Sequence, residues 1–516
     1  MVQMTLVVLL SSAALALASF GPPVRIDDKL PGHSYKYCAI TVGPGAQSCQ
    51  PLYVAFVDQD TVDESADVVL QKSTDAGRTW LPSDVLVRDG APQAYGPDIT
   101  TDSDGNVCIA FEDVYSDTAG GYDHRILCVR SSDGGTTWTA PVRVDDRPDL
   151  KRSIGNLQIA ADSACNLFCA WFDRRTGDEG HIWSSVSTDQ GATWRQNVQV
   201  DDDTTGHAVG QPDVFVQPGT NHYLVAAAIP RRVGSHYECS SELYRSTDMG
   251  LTFQPRVHID TSRYDTRHPH IVADRDHIIC DYFADPFRVG ETLFVEARTF
   301  YTQGDSWGTP APMTTLDSVD WLYYSGGLAL SGDGRVHTAL TICDTADWNY
   351  HVFYTASWDH GVSWSDIELV TDDTTVACWE PDIGADSAGH AYIVWYQPNV
   401  GEGEVWFATN VPLGIAEETS NAELRAPNSS PTVVRGVLVL GGNGDSPSER
   451  EDARYSPHFP VMSRASLLDI SGRRVMELRP GANDVRALAP GVYFIRRPET
   501  EDGRPAAAIR KIVVAR

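Results

Sequence analysis

Apolar positions along this chain fall in short runs of strand length, each closed by a turn rich in Gly and Asp. The segments Pro97-Asp-Ile, Asn156-Leu-Gln-Ile, Pro212-Asp-Val, Pro269-His-Ile, Gly327-Leu-Ala-Leu and Pro381-Asp-Ile each open such a run. A turn of the type Asp102-Ser-Asp-Gly-Asn106 follows, and then a second strand that ends in an aromatic or acidic residue. The openings lie 59, 56, 57, 58 and 54 residues apart, and an earlier copy begins near Tyr37, so the chain carries seven modules. No helical periodicity competes with these short strands and Gly/Asp turns.

A second repeat falls at the end of the modules. It reads Ser73-Thr-Asp-Ala-Gly-Arg-Thr-Trp80, Ser131-Ser-Asp-Gly-Gly-Thr-Thr-Trp138, Ser187-Thr-Asp-Gln-Gly-Ala-Thr-Trp194, Ser246-Thr-Asp-Met-Gly-Leu-Thr-Phe253 and Ser357-Trp-Asp-His-Gly-Val-Ser-Trp364. The starts are 58, 56, 59 and 111 residues apart, and the double gap holds a decayed copy at Thr302-Gln-Gly-Asp-Ser-Trp307. The octet is a hairpin turn by its chemistry: Asp accepts backbone N–H bonds, Gly takes a positive φ, and the terminal aromatic packs back between strands. An outer strand follows most octets, as in Pro141-Val-Arg-Val-Asp-Asp146, but the seventh module runs out at Phe407-Ala-Thr-Asn. The same pattern stands at the other end of the chain as Pro23-Val-Arg-Ile-Asp-Asp28. The prediction is therefore an all-β fold, a seven-bladed β-propeller closed by an N-terminal strand that completes the last blade and removes the open sheet edges.

The octets resemble the Asp-box of bacterial neuraminidase (BNR) repeats, found in sialidase-like β-propellers. That resemblance implies that the box turns lie on the far side from the active site. It also sets a contrast, because true sialidases typically have six blades and this chain has seven modules.

Residues 1–18 hold an apolar stretch from Leu6 to Leu17 that closes on Ala16-Leu17-Ala18, read as a signal peptide although no Lys or Arg precedes it. The propeller is assigned to residues 19–415 and a Ser, Pro, Asn and Glu-rich linker to 416–462, with a strand expected over Val433 to Leu440. Residues 463–516 return to strands and are expected to form a small C-terminal β-sandwich domain. Eleven Lys/Arg against six Asp/Glu from Arg464 onward contrast with a net charge of -30 for the whole chain, which marks the tail as a distinct unit. Its segments Ser466-Leu-Leu-Asp-Ile-Ser-Gly-Arg473, Leu488-Ala-Pro-Gly-Val-Tyr493 and Lys511-Ile-Val-Val514 are similar to the type A sorting domain of the type IX secretion system. This resemblance implies passage through the outer membrane, contact with the secretion machinery, and a secreted or cell-surface protein.

The acidic balance excludes nucleic acid as a partner, and no later apolar run is long enough for a transmembrane segment. Ten cysteines lack the spacing of a metal site, so no metal and no cofactor is expected. Cys108 with Cys128, and Cys38 with Cys49, could each bridge, or all could be buried thiols. Asp102 to Asn106 and Asp201 to Asp203 could hold calcium but lack the twelfth-position Glu of an EF-hand, and are read as structural turns.

Candidate chemistry belongs to the loops gathered around the axis, opposite the octet turns. Those loops include Glu112, Asp173, Arg174, Arg175, Arg231, Arg232, Tyr95, Lys151, Arg152, Tyr264, His268, Trp321, Trp379 and Glu380. Aromatic faces stack on sugar rings and Arg forks bind carboxylates in pairs, so Asp173, Arg174, Arg175, Arg231, Arg232, Trp321, Trp379 and Glu380 are taken as the ligand-binding set. A sialidase would need three arginines on the substrate carboxylate, a Tyr activated by Glu, and an Asp acid. The nearest match to that family's first arginine is Arg25-Ile26-Asp27, which recurs at Arg143 in the same strand position and so reads as blade pattern. The expected function is a non-catalytic binding module for extracellular glycan or protein. A glycoside hydrolase of exo-sialidase type and a purely structural surface module stand as alternatives.

Overall fold

The computed structural model describes residues 20–411, apart from short loop segments, and beyond them only strand segments between residues 432 and 514. Residues 1–18, read as a leader, lie outside the described residues, as do Cys49, Lys151, Arg152, Tyr264 and Trp321. The chain divides into two compact units, residues 1–414 and 415–516.

The first unit is a seven-bladed β-propeller. Its innermost strands are His33–Val42, Gln93–Thr101, Ile154–Ala161, Val209–Val216, Asp265–Ala273, Leu322–Leu330 and Trp379–Ala385, each the first of an antiparallel sheet of four or five strands. Each inner strand packs on the next, and the seventh packs on the first. The last blade is completed by the N-terminal strand Val24–Arg25, which pairs with Glu402–Thr409 through Val24↔Phe407 and Arg25↔Trp406. Closure is therefore through backbone hydrogen bonds, as the sequence pattern predicted.

The octets do the expected work. In the second blade, Asp133 Oδ1 accepts the N–H of Thr137 at 2.9 Å and the Ser131 hydroxyl at 2.7 Å, and the Gly135 N–H donates to Ser131 Oγ at 2.8 Å. These bonds hold the Asp133 carboxyl well below the usual carboxylate range, the Thr137 hydroxyl contributing most. The octet glycine sits at positive φ, +83° at Gly77 and +86° at Gly135, and lies against an apolar side chain of the preceding blade. At Gly77 that side chain is Phe407, so the first box locks onto the last blade. The decayed copy keeps its aromatic: Trp307 meets Phe300 edge-on at 5.2 Å.

A second repeated device lies in the outer strands. Buried Asp27, Asp145, Asp201 and Asp260 each accept one N–H from the neighbouring strand, those of Val405, Ile126, Ile182 and Ser241 respectively. Arg25 bonds Asp27 at 2.6 Å and Arg143 bonds Asp145 at 2.6 Å, which makes Arg25 a blade residue.

The cysteine expectation is corrected in part. Cys108 and Cys128 are free, buried thiols in one apolar cluster with Cys169, since Cys128 faces Ala110 and not Cys108 across the strand pair. Cys38 is likewise free and buried. The Asp102 turn is saturated internally, because Asp102 Oδ1 accepts the N–H of Asp104 and Asn106 while Oδ2 accepts the Asn106 amide.

In the second unit, Thr432–Val434 pairs in parallel with Arg510–Val514, within a five-stranded sheet that also holds Gly491–Arg496, Ala465–Leu468 and Arg474–Leu478. Val437–Leu440 pairs with Gly481–Asp484. Strands drawn from the segment read as linker thus belong to this unit.

Candidate functional site

Every inner strand carries a register shift at the same place. The shifts fall between Lys36 and Ala39, Tyr95 and Asp98, Gly155 and Gln158, Val209 and Asp213, Arg267 and His270, Ser325 and Leu328, and Trp379 and Asp382. A bulge re-aims the side chain it contains. Here the bulges surround the propeller axis and line one cavity of about 560 Å³, within the range of small-ligand sites.

In six of these bulges one residue adopts a left-handed backbone. Two bulges contain glycine there, Gly96 at φ +45° and Gly327 at +88°, but four use side chains that strain in this region: Tyr37 at +54°, Asn156 at +50°, His268 at +49° and Glu380 at +46°. All four line the cavity, with Tyr95 and Glu112 between them. Each such residue costs on the order of 1–2 kcal/mol relative to glycine.

Behind the bulges, three aspartates staple adjacent blades. Asp382 Oδ2 accepts the N–H of Ile40 at 2.7 Å, Asp98 that of Ile159 at 2.6 Å, and Asp213 that of Ile271 at 2.8 Å. The other oxygen of each accepts the N–H of its own following residue. Asp382 joins the last blade to the first. Burial dominates their titration, pushing Asp382 up to about 7 and Asp213 to about 6, with Asp98 well above the ordinary value.

The two glutamates of the wall differ in environment. Glu112 holds His124 Nδ1 at 2.7 Å. Glu380 makes no hydrogen bond among the described residues, and burial raises its carboxyl. The Tyr37 phenol is raised first by burial and then by the charges of Glu380 and Glu112. Its ring stands 6.3 Å from those of both Tyr95 and Tyr396. The described lining holds five carboxylates, two imidazoles and no Arg or Lys, a surface suited to hydroxyl groups and sugar faces rather than to an anion.

The residues singled out from sequence divide sharply. Glu380 lines the cavity; Trp379, beside it, packs on Tyr350 with ring centres 4.5 Å apart. Asp173 is fully buried and bonded to Arg175 Nε at 2.8 Å. Arg175 also holds Asp146 at 2.7 Å and lies 4.0 Å from the centre of the Trp183 ring. Asp173 and Arg175 therefore form an ion-pair lock between the second and third blades, which the buried Arg147 completes. Arg174 is exposed over Phe172. None of the three lines the cavity. Arg231 and Arg232 belong to the long strand Tyr223–Val233. Tyr95, Glu112 and His268 do reach the cavity, as does Tyr37, which had marked only the start of a module. Asn156 is the fourth bulge residue with a side chain. The signal that could have found both is their place in the repeat, at or next to the residue that opens each inner strand.

A seven-bladed propeller with an acidic, aromatic axial cavity is thus the class defined by fold and site. No family model matches the chain. Solved structures similar to it include a protein of unknown function from Dyadobacter fermentans, at TM-score 0.47 and 14% identity over 75% of this chain and 97% of that one. A GH93 α-L-arabinofuranosidase of Fusarium graminearum, in complex with arabinobiose, gives 0.44 and 14% over 76% and 97%. The NanB sialidase of Streptococcus pneumoniae gives 0.43 and 10% over 71% and 84%. The seven-bladed arrangement stands on the strand pairings above and not on these likenesses.

Proposed function

We propose that this is an exported Asp-box propeller that binds an extracellular glycan in its axial cavity, with the C-terminal unit serving as a sorting domain for secretion to the cell surface. The observation that supports the binding role is the set of strained side chains Tyr37, Asn156, His268 and Glu380, held in left-handed bulges where glycine serves in two other blades. Backbone strain persists where the surroundings impose it, and it gathers at binding and catalytic sites. Tyrosine rings and carboxylates together suit a neutral sugar, which offers apolar faces for stacking and hydroxyls for donation.

The test is a glycan-array screen with the full chain, followed by release assays on each glycan bound. Binding without turnover, lost in Glu380→Gln and kept in Arg174→Ala, is the expected result; binding indifferent to Glu380→Gln would place the ligand elsewhere. One observation favours a second reading, a glycoside hydrolase. Two carboxylates near one tyrosine sit in unlike surroundings, Glu112 paired with His124 and Glu380 raised by burial, the division of labour that acid and base roles require. Turnover abolished by Glu380→Gln would select that reading.

A further inference from the structure

The fifth and sixth blades meet on the octet side of the propeller at three side chains that the cavity does not use. Asp274 and His277 close the turn after the inner strand Asp265–Ala273, and His360 occupies the fourth position of the last octet. Asp274 Oδ1 is fixed by the backbone N–H groups of Asp276 at 2.8 Å and His277 at 2.7 Å. Its Oδ2 then faces two imidazoles at once, His277 Nδ1 at 3.0 Å and His360 Nδ1 at 3.0 Å. The two rings stack with centres 4.1 Å apart and planes 19° from parallel. His360 Nδ1 is shielded from solvent and, despite its closeness to the carboxylate, has no hydrogen bond of acceptable geometry. The nitrogen thus stands beside the carboxylate as a donor atom that no hydrogen bond engages.

We propose that Asp274, His277 and His360 bind a divalent transition-metal cation, Zn²⁺ by the donor set, which clamps the fifth blade to the sixth. Two imidazole nitrogens and one carboxylate oxygen are the ligands that such ions take and that Ca²⁺ and Mg²⁺ do not seek. Bond lengths near 2.0–2.2 Å place neighbouring donors of a tetrahedron roughly 3.3–3.6 Å apart. The two Asp–His pairs at 3.0 Å need to open by a few tenths of an ångström, and the stacked imidazoles must turn so that both nitrogens meet one ion in their ring planes. The carboxylate is already oriented by two backbone donors, the outer-sphere support that metal-ligating groups carry. The side chains are partly exposed, 28% for Asp274, 23% for His277 and 38% for His360, so the group lies at the surface, where a water would supply the fourth ligand.

The repeats argue that His360 is not there for the turn. Its counterparts in the other octets are Ala76, Gly134, Gln190 and Met249, and all five positions are left-handed. The hairpin accepts nearly any residue, so an imidazole is free to serve another purpose. A histidine bonded to its turn aspartate also occurs at His390 and Asp386 in the seventh blade. Among the described residues, however, the Asp274 group is the one set of three such donors whose ligand atoms lie within 4.8 Å of one another.

The experiment uses the full chain without an affinity tag, stripped with EDTA and titrated with Zn²⁺ by calorimetry. One Zn²⁺ per chain and a rise in Tm are expected, with Co²⁺ giving a visible d–d band at the same stoichiometry. His360→Gln, which copies Gln190, and His277→Gln should each weaken Zn²⁺ binding by about tenfold or more, since loss of a supporting group alone costs that much. Their Tm in EDTA should match the wild type, which separates loss of the ion from loss of the fold. Absence of stoichiometric Zn²⁺ binding, or equal affinity in His360→Gln, overturns the proposal. A response to Ca²⁺ as strong as that to Zn²⁺ does so as well.

Discussion

Asp382 carries the closure of the ring at the inner strands, and its replacement has an effect that depends on pH in a definite direction. In Asp382→Ala the N–H of Ile40 and that of Ile383 lose their acceptors, at 2.7 and 2.8 Å. Each buried donor left unpaired costs about 1–3 kcal/mol, so the loss is about 2–6 kcal/mol against the protonated wild type. The wild type, however, buries a charge once the carboxyl ionises. Its folded value lies up at about 7 against an ordinary 3.8, burial being the main cause. Between those values the folded state holds a proton that the unfolded state has released, so wild-type stability falls as pH rises from about 4 to about 7 and is level above. Raising the pH from 5 to 8 therefore removes on the order of 3 kcal/mol of the wild-type advantage. Asp98, Asp213 and His270 lie in the same cavity wall and titrate with Asp382, so the midpoint belongs to the group. Urea denaturation followed by Trp fluorescence at pH 5, 6, 7 and 8 gives the difference directly. Asp382→Ala should be strongly destabilised at pH 5 and close to the wild type at pH 8. A difference that is constant with pH, or larger at pH 8, refutes the reasoning.

Other consequences are as direct. Gly77→Ala meets Phe407 at 2.3 Å with φ +83°, whereas Gly191→Ala has 3.3 Å to Leu167 at φ +86°; the first should lose clearly more stability, about 2–5 kcal/mol against about 1–2 kcal/mol, as calorimetry of the two will read. Arg175→Ala leaves the buried Asp173 with the more distant Arg147, at 3.7 Å, as its cationic partner, beside the Trp171 indole and the backbone N–H of residue 175, and should cost about 3–5 kcal/mol of stability without changing glycan affinity. Unchanged Tm together with lost binding would return Arg175 to the ligand site. Glu380→Gly relieves a strained bulge and should leave stability unchanged or raise it by about 1 kcal/mol while abolishing glycan binding, and a fall in Tm would show that the side chain serves packing.

The propeller was legible because its information is local and repeated. Each octet states its own turn, and Pro23 to Asp28 repeats the outer-strand pattern of Pro141 to Asp146, so even the closing pairing of Val24 with Phe407 could be read from sequence. The site was legible only at Tyr95, Glu112, His268 and Glu380. Asp173 and Arg175 look alike in sequence whether they face a ligand or each other, and what decides is the position of Asp146 and Arg147, some 30 residues away. Tyr37 and Asn156 resembled ordinary strand residues because a bulge has no composition of its own; it appears only when the partner strand is counted against it.

That counting also separates binding from packing as the reason for the cavity wall. If the bulge existed only to fit seven inner strands around an axis, the residue within it would be free to become glycine in every blade, as it has at Gly96 and Gly327. A side chain kept at Tyr37, Asn156, His268 and Glu380 has instead been kept against strain of on the order of 1–2 kcal/mol each. The buried core of each blade would gain nothing from them, since the apolar clusters between blades are built from Ile40, Ile159, Ile271 and Ile383, further along the same strands. The staples Asp98, Asp213 and Asp382 already join adjacent blades without their help. What the four side chains share is the cavity they face, and an aromatic ring, an amide, an imidazole and a carboxyl around one space form a varied set of contacts that ring closure does not require and a hydroxyl-rich ligand can use.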